Sequence, residues 1–76
     1  NAQAIGHDAV ASKVNATAIG TSAEASGKYS ASFGTEATAS GLASMAIGAG
    51  SLANETGAIA FGVNSTASGG NAIECR

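Results

Sequence analysis

The sequence predicts an all-β chain wound as a parallel β-roll, a solenoid whose coils are each 14 residues long. Three observations carry this prediction. Glycines recur at Gly6, Gly20, Gly34, Gly48 and Gly62, closing the related phrases Ala4-Ile5-Gly6, Ala18-Ile19-Gly20, Ser32-Phe33-Gly34, Ala46-Ile47-Gly48 and Ala60-Phe61-Gly62. Self-similarity at a fixed spacing marks one supersecondary unit stacked on copies of itself. Cut every 14 residues and numbered across, the stack has columns 2, 4, 6, 9 and 11 filled only by Ala, Ser or Gly in all five complete copies. The large apolar residues concentrate instead in column 5 (Ile5, Ile19, Phe33, Ile47, Phe61) and column 3 (Met45, Ile59, Ile73).

Within each coil the elements follow in order. Columns 2 to 6 alternate between small residues and variable or large ones, which is the two-residue period of a strand with unlike faces. A shorter alternation in columns 9 to 11 gives a second strand. Column 12 holds Ser12, Ser26, Ser40, Asn54 and Ser68, and Gly27, Gly41 and Gly69 follow it, which is turn chemistry. Two strands and two turns complete a coil, and each strand pairs with its counterpart one coil on, about 4.8 Å away. Five coils then rise on the order of 25 Å. A coiled coil would also repeat every two heptads, but its seam needs apolar residues every 3.5 positions on average. Here the apolar columns are two apart, and column 12, seven positions after column 5, is Ser or Asn. Collagen needs glycine at every third residue, and the chain has neither that period nor any proline.

So narrow a coil has room inside for side chains no larger than Ala or Ser. The expected interior therefore includes Ala18, Gly20, Ala23, Ala25, Ala46, Gly48, Ser51 and Ala53. Columns 3 and 5 must point the other way, which leaves Ile5, Ile19, Phe33, Met45, Ile47, Ile59 and Phe61 as an outward stripe. Burying one such side chain contributes roughly 1.5 to 3 kcal/mol, so a fully exposed stripe forfeits about ten or more. That is comparable with the stability of a whole domain. The stripe predicts a partner, and self-association about a symmetry axis is economical because identical stripes are complementary. The residues leave open whether two, three or more chains meet.

Composition narrows the function classes. A chain of 76 residues makes one small domain, which buries a modest fraction of its surface unless staples or oligomerisation help. One cysteine allows no internal disulfide, and one histidine with one cysteine makes no zinc site. No metal or cofactor is expected. With three Lys and Arg and a net charge of -2, there is no basic patch for nucleic acid. No catalytic site is expected either, because the only His and the only Asp are neighbours, His7-Asp8, without a nucleophile beside them. The glycine phrases do not open a helix, which argues against a phosphate cradle. No run reaches the roughly 18 apolar residues of a membrane helix, and the start does not read as a signal peptide.

The residues at this point resemble the head repeats of trimeric autotransporter adhesins, the YadA-like heads of Gram-negative bacteria. That pattern runs roughly Asn-Ser-Val-Ala-Ile-Gly, a turn, a small residue, a variable one, Ala and Gly. Asn15-Ala16-Thr17-Ala18-Ile19-Gly20 with Ala23, Ala25 and Gly27 is similar to it, as is Ala43-Ser44-Met45-Ala46-Ile47-Gly48 with Ser51 and Ala53. The resemblance implies a left-handed parallel β-roll assembled as a homotrimer with the large column on the threefold axis. It also implies display on the bacterial cell surface, outer-membrane anchored through a segment absent from this chain, and adhesion to extracellular-matrix proteins such as collagen, to host-cell receptors or to other heads. The expected roll covers residues 1–73, five full coils and the start of a sixth at Asn71-Ala72-Ile73. Glu74, Cys75 and Arg76 then break the small, large and glycine columns in succession, so 74–76 is expected to be a frayed end or the lead-in to another element.

Two other readings have the same architecture. A structural spacer within an adhesin needs the roll but no ligand. An ice-binding solenoid needs threonine ladders, whereas Thr17, Thr21, Thr35, Thr38, Thr56 and Thr66 scatter over columns 3, 7, 10 and 14. Cys75 falls in the large column, where chains around an axis could join by a disulfide. Asn15-Ala16-Thr17, Asn54-Glu55-Thr56 and Asn64-Ser65-Thr66 match the N-glycosylation tripeptide, matches that a chain rich in Asn, Ser and Thr produces by chance.

Overall fold

The computed structural model describes residues 2–70 and 73–75, with Cys75 described by its backbone alone. Eleven short strands alternate between three and two residues: β1 (Gln3–Ile5), β2 (Val10–Ala11), β3 (Thr17–Ile19), β4 (Glu24–Ala25), β5 (Ala31–Phe33), β6 (Thr38–Ala39), β7 (Met45–Ile47), β8 (Leu52–Ala53), β9 (Ile59–Phe61), β10 (Thr66–Ala67) and β11 (Ile73–Cys75). The odd strands form a six-stranded sheet in the order β1-β3-β5-β7-β9-β11, and the even ones a five-stranded sheet in the order β2-β4-β6-β8-β10. Every pairing is parallel and joins residues 14 apart, as in Ile5↔Ile19, Phe33↔Ile47 and Ala25↔Ala39. The chain is thus an all-β parallel solenoid of about five turns. Its longest dimension is 26 Å and its thinnest 10 Å.

Two β-turns close each coil. In the first, the column 9 amide donates to the column 6 carbonyl, as Ala37 does to Gly34 at 3.2 Å. In the second, the column 2 amide donates back over the next corner, as Ser30 does to Gly27 at 3.1 Å. The third residue of each turn has positive φ: Asp8, Ser22, Glu36, Gly50 and Asn64 in the first, Asn15, Tyr29, Ala43 and Gly57 in the second, with φ between 56° and 73°. Positive φ at the third turn residue but not the second is the sign pattern of a type II turn, which favours Gly or Asn there. The ladder does not stop at the corners. Glu36 N donates to Thr21 O at 2.8 Å and Ala43 N to Lys28 O at 2.8 Å, so every turn hangs from the turn of the preceding coil.

The interior is made of alanine and serine. In the second to fifth coils, columns 2, 4, 9 and 11 contain sixteen residues, eleven Ala and five Ser, none more than 1% exposed. Serine is the largest side chain fully buried. Each of the five buried serines is hydrogen-bonded to the backbone: Ser30 Oγ donates to Gly27 O at 2.6 Å and Ser32 Oγ to Ala37 O at 2.6 Å, while Ser44 Oγ accepts from Gly41 N at 3.1 Å. Ser51 and Ser65 donate to Gly48 O and Gly62 O at 2.8 and 3.0 Å. Among the described residues no buried side-chain polar atom lacks a partner, so serine can alternate with alanine at no desolvation penalty. In the first coil Ala2 and Ala4 are exposed and Ala9 and Ala11 half-buried, because only one neighbouring coil covers them.

Ile73–Cys75 pairs in register with Ile59–Phe61, Glu74 opposite Ala60. Parallel pairing uses the backbone, and half-exposed Glu74 keeps enough solvent access for its carboxyl. Asn71, Ala72 and Arg76, and the thiol of Cys75, lie outside the described residues. Gly27 and Gly41 are buried at the second turn, where the next coil leaves no room for a Cβ. A Cβ at Gly27 would run into the carbonyl of Gly41, and one at Gly41 into that of Glu55.

Candidate functional site: an outward apolar stripe

Period-2 alternation on the odd strands decides what faces out. With Ala18, Ser32, Ala46 and Ala60 locked inward at 0% exposure, columns 3 and 5 project from the opposite face of the same sheet. There Ile5 is 58% exposed, Phe61 55%, Met45 38% and Phe33 37%, while Ile19, Ile47 and Ile59 are half-buried. Register stacks Ile5 on Ile19, Ile19 on Phe33, Phe33 on Ile47 and Ile47 on Phe61. This stacking covers part of each side chain, so the stripe is less exposed than column position alone implies. Ile5, Phe33, Met45 and Phe61 together leave the equivalent of about two side chains in water, worth roughly 3 to 6 kcal/mol per chain at the usual burial energies.

Of the residues expected inside, Ala18, Ala23, Ala25, Ala46, Ser51 and Ala53 lie in the interior at no more than 1% exposure. Gly20 and Gly48 do not. Both are half-buried and begin the first turn, with φ of 126° and 123°. Their column is all glycine because the backbone turns there through a region open only to glycine and touches the next coil, not because it faces the interior.

Among the described residues there is no pocket and no group of three or more His, Cys, Asp or Glu able to hold a metal. His7 Nε2 and Asp8 Oδ2 are 3.3 Å apart in the first turn, with side chains 83% and 73% exposed. Such a pair in open water orients nothing. The face of the five-stranded sheet presents Val10, Glu24, Thr38, Leu52 and Thr66 with the Ser and Asn of column 12 beside them.

A roll of stacked coils with an apolar stripe along one sheet face defines a stacked-repeat module. The sequence pattern described as the YadA head domain repeat (2 copies) matches residues 1–23, 25–51 and 53–73, and the chain belongs to that family. It is a family of adhesin heads, not one of enzymes. No curated protein matches the chain.

Proposed function

We propose that the chain is a head segment of a trimeric autotransporter adhesin, non-enzymatic, in which three left-handed rolls stand side by side with their six-stranded sheets facing a common axis. The outward stripe carries this reading. A sheet face that keeps Ile5, Phe33, Met45 and Phe61 more than a third exposed, on a roll whose interior is already filled, has no intramolecular cover. Three copies around an axis would remove most of that area from water. Family membership supports the same arrangement and a position at the bacterial cell surface, anchored in the outer membrane through a segment outside this chain.

In this reading the five-stranded sheet and the turns face outward and bind extracellular-matrix protein such as collagen, a host-cell receptor, or another head. The repeat offers an extended partner the same contacts once per coil, about every 4.8 Å. Binding of the purified protein to immobilised collagen, fibronectin and laminin tests this, with saturable attachment to at least one expected. Failure on all three and on cultured cells would leave the roll as a spacer that holds another domain away from the membrane.

A further inference from the structure

Outside the stripe, the charges are segregated by edge. The turn that begins each coil's return, columns 6 to 9, carries Asp8 and Glu36, both exposed and both at the positive-φ turn position. The opposite edge, where the second turn closes the coil, carries Lys13 and Lys28. The two edges lie at opposite ends of the strands, so these charges cannot meet within one chain. Among the described residues Lys13, Lys28 and Glu36 make no ion pair. Their heights are fixed by backbone: Ser22 N donates to His7 O and Glu36 N to Thr21 O along one edge, Tyr29 N to Val14 O and Ala43 N to Lys28 O along the other, all at 2.8 to 2.9 Å. Lys28 is further placed by the Tyr29 ring, with Nζ 5.8 Å from its centroid. Apolar surface lines the basic edge, where Val14 is 52% exposed and Leu42 47%.

We propose that these edges are the seam between neighbouring rolls: the Lys13 and Lys28 edge of one copy docks on the Asp8 and Glu36 edge of the next. This rests on the three-chain reading. A cyclic assembly with the six-stranded sheets inward must bring unlike edges together, because a heterologous contact closes a ring by repeating head to tail. Rotation about an axis parallel to the roll preserves height. Lys13 belongs to the same coil as Asp8, and Lys28 lies within one coil of Glu36, so each lysine comes within about 5 Å, along the axis, of the carboxylate it faces. The one acidic residue on the basic edge, Glu55, falls at the level of Gly50 and Asn64, where the facing edge has no charge. At the height that rotation preserves, each lysine therefore faces a carboxylate and Glu55 faces none. The stripe supplies association; the edges set which side meets which, as complementary charge does at other interfaces.

Site-directed crosslinking tests the seam. The protein with Lys28→Cys and Glu36→Cys, in a Cys75→Ser background, is treated with a short bis-maleimide and run on a denaturing gel. A covalent trimer is expected from the double variant, and none from either single variant. In parallel, Lys28→Glu or Glu36→Lys should each weaken association several-fold at low ionic strength, and the double exchange should recover most of that loss. Efficient dimers from a single-cysteine variant would overturn the proposal by showing that an edge meets its own copy. So would an unmodified protein that sediments as a trimer while its double variant yields none. A monomeric unmodified protein overturns the three-chain reading itself, and the seam with it.

Discussion

Gly34→Ala is the sharpest perturbation the roll offers, because a single methyl group meets two separate penalties. Gly34 has φ of 128°, a region in which an L-residue is strained by about 1 to 3 kcal/mol. An added Cβ would also lie 2.8 Å from both the carbonyl carbon and oxygen of Gly48. Those atoms belong to the next coil's backbone and cannot rotate away. Relieving the contact means moving a coil against ladder bonds such as Gly48 N to Phe33 O at 2.8 Å, and overpacking of this kind costs about 1 to 3 kcal/mol. Together the substitution should cost about 2 to 6 kcal/mol. Gly50→Ala is the control: its φ is 73° and its Cβ would meet the Asn64 Oδ1 at 2.5 Å, the movable end of a side chain. It should cost only about 1 kcal/mol. Urea denaturation at one fixed chain concentration measures both, and 3 kcal/mol in a chain of this size lowers Tm by more than about 10 °C. Equal losses for the two variants, or less than about 1 kcal/mol for Gly34→Ala, would refute the coil-on-coil argument.

Other substitutions probe the remaining layers. Ala46→Leu places a branched side chain where Ala46 is 0% exposed and should cost at least about 1 to 3 kcal/mol, read as a shifted denaturation midpoint; an unchanged midpoint would mean that inside and outside are reversed. The second turn supplies a pair with opposite signs: Ala43→Gly relieves an alanine at φ 57° and should stabilise, while Gly57→Ala at φ 71° should destabilise, each by up to about 1 kcal/mol in thermal melts. Ile47→Asp should abolish assembly in size-exclusion chromatography, whereas Glu24→Gln on the far sheet should leave the elution volume unchanged.

The period made most of this fold legible, because a solenoid writes its geometry into the sequence. Each coil repeats the same steric problem, so the interior columns show it five times over as Ala and Ser. Two things were hidden. The positive-φ turn positions hold Glu36, Tyr29 and Ala43, residues without a turn signature, and the ladder bonds from neighbouring coils hold them there against their preference. The conspicuous glycines misled in the other direction. Gly20 and Gly48 looked like interior residues because they are small, yet both requirements on them come from backbone. At the surface, the stripe was readable from alternation alone, but how much of it the stacking of Ile19 on Phe33 already covers needed the register. The separation of lysines from carboxylates by edge emerged only once the two turns had been placed at opposite ends of the strands.

Sedimentation equilibrium of the wild-type protein decides whether the apolar stripe is covered by other copies of the chain. Three chains around one axis give a species of three times the 7.1 kDa chain mass that persists on dilution and is lost with Ile47→Asp. A monomer that is folded by circular dichroism and stays monomeric at high concentration would contradict it.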